Sequence, residues 1–102
     1  MELIVKNIKV KNITVKACQL KWRNSWLFLV DAPKGTITCG SFDIDALNDF
    51  KLPAAKVFPN LGEESHSIEG FMTRKITHVN ELVSELGVKK GQTIMEAIEK
   101  LS

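Results

Sequence analysis

A chain of 102 residues with 44% hydrophobic and 25% charged residues is one domain by length and ordinary globular by composition, which excludes disordered and collagen-like classes. No apolar run reaches the length of a membrane span, and Met1-Glu2-Leu3-Ile4-Val5-Lys6 lacks the layout of a signal peptide, so a cytoplasmic protein is the expectation. The net charge of +2 is uneven: residues 1–23 hold six Lys or Arg against one acid, residues 24–50 one against four, and the rest seven of each.

Residues 3–31 alternate as strands do. Ile8 and Val10 oppose Lys9 and Lys11, and Ile13, Val15 and Ala17 alternate with Thr14 and Lys16, the period of two of a half-buried strand. From Cys18 the apolar set moves to even positions, Cys18, Leu20 and Trp22. This predicts a β-bulge near Ala17 and Cys18, because one extra residue flips every later side chain to the other face. Lys11-Asn12 and Arg23-Asn24-Ser25 are the expected turns, with Asn as the residue that tolerates left-handed backbone. Trp26-Leu27-Phe28-Leu29-Val30 is continuously apolar and predicts a central strand buried on both faces. Ala32-Pro33-Lys34-Gly35 turns the chain into Thr36–Cys39, completing a four-stranded antiparallel meander.

A helix follows. Asp43 suits its N-cap, Phe42 and Leu47 have the spacing of a hydrophobic staple, and Ala46, Leu47 and Phe50 form the expected buried stripe. Pro53 ends it, since proline disfavours helical backbone in the residue before it. Ala54–Phe58 predicts a strand, residues 61–66 an exposed acidic loop, Ser67 the cap of a short helix over Ile68–Met72, and Lys75–Val79 another strand. Asn80 caps Glu81–Leu86, with Gly87 and Val88 placed for a Schellman ending. Thr93 and Glu96 form a capping box for the last helix, whose buried face is Ile94, Ala97, Ile98 and Leu101. The fold class is α+β in a single domain spanning residues 1–102: an N-terminal antiparallel β-meander, then alternating short strands and helices, ending in two helices.

The site candidates gather at Cys39-Gly40. Cys39 ends a strand, Gly40 permits close approach of a ligand or another backbone, and Asp43 opens the helix. Cys39, Gly40 and Asp43 are therefore the candidate ligand-binding residues. Cys39 is also a candidate nucleophile, with His78 or His66 as its base, His78 being preferred. Against this, free cysteine packs readily in cores, and alternation with Ile37 gives Cys39 a structural reason to exist. Cys18 is assigned to packing, and a Cys18 to Cys39 bridge stays open. Asp43, Asp45 and Asp49 are explained by capping and a solvated helix face; no metal site is predicted and no cofactor.

The segment Cys39-Gly40-Ser41-Phe42-Asp43, with Leu47, Ala54-Ala55, Glu85-Leu86-Gly87-Val88, Gly91, Ala97 and Leu101, resembles the YunC-like family of small prokaryotic proteins, a domain of unknown function marked by Cys-Gly-x-x-Asp. Phe42 stands where members often have leucine, and residues 58–66 depart from the family pattern. The resemblance implies that Cys39, Gly40 and Asp43 form the recurring element, and implies no reaction.

Three functional readings follow. The first is a non-enzymatic domain that binds a small ligand or protein partner at the Cys39-Gly40 junction, with homo-oligomerisation as a further expectation. The second is a thiol-dependent enzyme of acyl or sulfur transfer, with Cys39 as nucleophile. The third is weak nucleic-acid binding through the basic N-terminal hairpin, with Trp22 or Trp26 as a stacking platform. A near-neutral chain without a phosphate-binding loop favours instead a solvated face whose lysines guard an edge strand.

Overall fold

The computed structural model describes residues 1–58 and 67–102. Four strands, β1 (Glu2–Val10), β2 (Ile13–Trp22), β3 (Ser25–Ala32) and β4 (Gly35–Cys39), form the expected meander. Helix α1 (Ile44–Asp49) then crosses to β5 (Ala54–Val57), which lies parallel to β4, so the sheet as a whole is mixed. After α2 (Ile68–Phe71) comes β6 (His78–Val79), antiparallel to β5, and then α3 (Glu81–Glu85) and α4 (Ile94–Lys100). Spatial order equals chain order, β1 through β6.

The pleat divides the sheet into two faces. Val15, Ala17, Phe28, Val30, Ile37, Cys39, Ala55 and Val57 point to one face, where they join α2, α3 and α4 in the main core. Phe28 stacks on Phe71 of α2, ring centroids 5.2 Å apart and 9° from parallel. Ile94, Ala97, Ile98 and Leu101 of α4 are fully buried, and the Thr93–Glu96 capping box is complete. Thr38 and Ala54 project from the opposite face and are nevertheless buried, beneath α1 and its buried Ile44.

Several local expectations are corrected. The β1–β2 and β2–β3 registers run without interruption, so no bulge occurs at Ala17–Cys18. Apolar residues appear at both parities there because the second face of β1–β3 is itself apolar, with Cys18, Leu20, Leu27 and Leu29 half-buried on it. For the same reason β3 is interior to the sheet but fully buried on one face alone. In the two-residue turns the left-handed positions are Lys11 (φ 54°) and Arg23 (φ 52°), not the asparagines that follow them. Phe50, expected in the buried stripe, is 74% exposed, because α1 is only six residues long and Ile44 occupies the inward position instead. The strand expected over Lys75–Val79 shortens to His78–Val79, with Lys75 in an isolated bridge to Thr93.

The α3 ending is as expected. Gly87 takes φ 96°, its N–H donates to the Ser84 carbonyl at 3.0 Å, and the Val88 N–H donates to the Val83 carbonyl at 3.3 Å, the two bonds of a Schellman motif. Among the described residues no helix is long and apolar enough to cross a membrane.

Candidate functional site

β4 and β5 run side by side in the same direction, with Cys39 abreast of Val57 at their carboxyl ends. In open sheets the crevice beyond the carboxyl ends of parallel strands is a common place for ligands. The β3–β4 ladder stops at Leu29–Thr38. One step further the Phe28 N–H donates to Cys39 Sγ at 3.4 Å, so the sulfur, a weak acceptor, serves an amide that the ladder no longer pairs. Cys39 is 6% exposed and its sulfur belongs to the main core.

Gly40 lies tightly against its neighbour. A Cβ on Gly40 would stand 2.2 Å from the Phe58 ring, so any side chain there would force that exposed ring to move. The same ring meets His78 edge-on with centroids 5.3 Å apart, and Lys56 Nζ is 5.5 Å from its centre. Lys56 also donates to the Phe42 carbonyl at 3.4 Å, which ties the junction loop to β5. Asp43 is the N-cap of α1: its Oδ1 accepts from the Asp45 and Ala46 amides, each at 3.1 Å.

These elements enclose a cleft of about 170 Å³ lined by Ile44, Asp45, Lys56, His78, Val79 and Lys90. Two lysines and a histidine against one carboxylate give it a positive bias. Lys56 pairs with Thr38 on one side and His78 on the other, all on the face opposite the main core. The structure thus joins Gly40 and His78 through Phe58, and places Cys39 and His78 on opposite faces of the sheet. His66 and the 61–66 loop lie outside the described residues.

Asn80 has a larger part than its sequence position announced. It is 2% exposed and makes four hydrogen bonds. Its Oδ1 accepts from the Val83 N–H at 3.0 Å and the Ala54 N–H at 3.1 Å; its Nδ2 donates to the carbonyls of Ile44 and Leu52, both at 3.0 Å. One side chain therefore fixes α1, β5 and α3, the three elements behind the cleft. The helix-capping pattern disclosed only the Val83 bond, since the other three partners lie 26 to 36 residues away.

The basic N-terminal segment does not make one surface. The pleat sends Lys9 and Lys16 to one face and Lys6 and Lys21 to the other, while Lys6 pairs with Glu69 and Lys11 with Glu99 at 2.9 Å. Both cysteines are free thiols, and no group of three His, Cys, Asp or Glu able to hold a metal occurs among the described residues.

Burial has a measurable consequence for Cys39. In the Cys18→Ala protein, alkylation of Cys39 is expected to run roughly 100-fold slower than that of a free thiol, the retardation set by a local opening of about 3 kcal/mol. Mass spectrometry of the labelled protein over time checks this, and native labelling at the free-thiol rate would contradict it.

Residues 38–101 match the family profile of a domain of unknown function (DUF1805), a span that begins one residue before Cys39 and runs through α4. A crystal structure of a protein of unknown function from Thermoplasma acidophilum superimposes with a TM-score of 0.84 at 16% identity, covering 99% of this chain and 94% of that one. At that identity the likeness is one of fold. No curated protein matches the chain.

Proposed function

The chain belongs to the DUF1805 family of domains of unknown function, and from that premise we propose that it binds a small anionic ligand in the cleft at the carboxyl ends of β4 and β5. The observation that carries this reading is the convergence of Lys56, His78 and Lys90 on one cleft of about 170 Å³, room for a phosphate or a short carboxylate. Lys56 supplies a directed ammonium already oriented by the Phe42 carbonyl and the Phe58 ring. Asp45 also lines the cleft and offers a carboxylate to any hydrogen-bond donor that a ligand carries. Gly40 admits Phe58 against the junction, Asp43 holds the first turn of α1, and Cys39 anchors the loop from the core side. In this reading Cys39-Gly40-Ser41-Phe42-Asp43, the stretch that resembles the YunC-like pattern, is the frame of the binding site. Two free thiols support a reducing, cytoplasmic setting.

The test is an amide chemical-shift titration with inorganic phosphate and with acetate. Saturable shifts at Lys56, His78 and Val79 are expected, with a dissociation constant of about 1 mM or tighter, equivalent to roughly 4 kcal/mol. Lys56→Ala should weaken it at least tenfold, and Gly40→Ala, by driving Phe58 off the junction, should weaken it with Lys56 still present. Shifts that are absent, or that persist unchanged in Lys56→Ala, would overturn the assignment.

A further inference from the structure

Among the described residues, Arg74 is the one charged side chain that is buried, at 7% exposure. Its N–H donates to the Phe71 carbonyl at 3.1 Å and its carbonyl accepts from the Ile94 N–H at 3.4 Å, which ties the residue between α2 and α4. The guanidinium carbon lies 5.5 Å from the Phe71 ring centre and 5.8 Å from that of Phe28, and those two rings stack 5.2 Å apart. A cation over the outer face of either ring would lie much farther from the second, so the near-equal distances set the guanidinium beside the stack. Gln19, 5% exposed, stands opposite Phe28 in the β2–β3 register, so a second buried polar side chain flanks the same residue.

These contacts do not neutralise Arg74. Its Nε has no hydrogen-bond partner, and no carboxylate among the described residues pairs with it; the ion pairs there join Lys6 to Glu69 and Lys11 to Glu99. An arginine stays protonated in a protein interior, and a cation–π contact is weaker than the cost of taking an unpaired ion out of water. For packing alone, an apolar side chain of similar volume would serve better. We infer that Arg74 is an anion-binding group whose ligand is a monocarboxylate with an apolar body. The Nε–H and one Nη–H form a planar fork that a carboxylate fills with two parallel hydrogen bonds. One carboxylate cancels one guanidinium, whereas a phosphate dianion would leave an excess charge in a site walled by aromatic rings. Phe28 and Phe71 offer the rest of the ligand an apolar surface. The two backbone hydrogen bonds hold the residue in place before binding, so little ordering is lost on association.

Proton–nitrogen NMR of the Arg74 Nε–H tests this, in Lys56→Ala protein titrated with sodium benzoate, acetate and phosphate. A saturable shift of that resonance is expected, with benzoate binding roughly tenfold or more tighter than phosphate, and tighter than acetate. Arg74→Lys keeps the charge and loses the fork, and should weaken benzoate by roughly tenfold or more, read from the Phe28 and Phe71 amides. Arg74→Met keeps the volume and should abolish both those shifts and the rise in melting temperature that benzoate gives the parent protein. An unmoved Nε–H, phosphate binding as tightly as benzoate, or benzoate shifts that persist in Arg74→Met would overturn the inference. So would an Nε–H resonance displaced by Glu63→Gln/Glu64→Gln without added ligand, which would make the counter-ion a carboxylate of this chain. The Lys56→Ala background separates these outcomes from those of the cleft, since Lys56 lies on the face of the sheet opposite Phe28.

Discussion

Asn80→Ala is expected to lower the unfolding free energy by roughly 3–5 kcal/mol. Truncation leaves the amides of Ala54 and Val83 and the carbonyls of Ile44 and Leu52 without their partner at a position 2% exposed. Each buried group so stranded costs about 1–3 kcal/mol, and water entering the gap recovers part of the sum. Asn80→Asp is the sharper control. It keeps an acceptor for the two amides but turns a second oxygen toward two carbonyls, so a comparable loss is expected even though the volume is unchanged. Urea denaturation of both variants reads the effect, and a loss below about 1 kcal/mol would show that the network carries little weight. Because the same side chain fixes the wall of the cleft, Asn80→Ala should also broaden the resonances of Ile44 and Val79 before global unfolding.

Phe71→Ala is expected to cost a similar amount, roughly 3–5 kcal/mol, through the cavity left against Phe28. Phe71 is 1% exposed and stacks on Phe28 at 5.2 Å. α2 has four residues, far below the length at which a helix holds itself together, so its place on the sheet rests on Ile68, Phe71 and Met72. Losing the central anchor should free α2 locally and expose the Phe28–Cys39 corner. The diagnostic result is a rise in Cys39 alkylation under native conditions in Phe71→Ala/Cys18→Ala, larger than the drop in global stability alone would give. Phe71→Leu, which keeps most of the contact area, should cost about 1–2 kcal/mol and leave Cys39 protected.

Where local chemistry decides the backbone, the sequence was a sufficient guide. Thr93 with Glu96, Asn80 with Val83, Asp43 with the α1 amides, and the Gly87 ending of α3 are all set by contacts within five residues, and each is made as expected. The bulge at Ala17–Cys18 failed as an expectation because a parity argument presumes one wet face. Cys18 and Leu20 lie half-buried on the second face of an uninterrupted strand, so apolar residues occur at both parities without a bulge. The candidate site divided along the same line. Gly40 and Asp43 could be read as a tight approach and a cap, but the ring that crowds Gly40 belongs to Phe58, 18 residues on. The position of His78 on the face away from Cys39 depends on a register two strands distant, which no spacing in the chain encodes.

The parallel pairing of β4 with β5 also sets an order of assembly. The three hairpins of β1–β4 close over loops of two residues and need nothing from the rest of the chain. β5 can dock only after the chain has travelled through α1, and Asn80 can lock it only after β6 has followed, so these late contacts carry the greater loop-closure entropy. On loop-closure grounds the meander is expected to form first and the half that bears the cleft last, an order that hydrogen-exchange labelling during refolding would check.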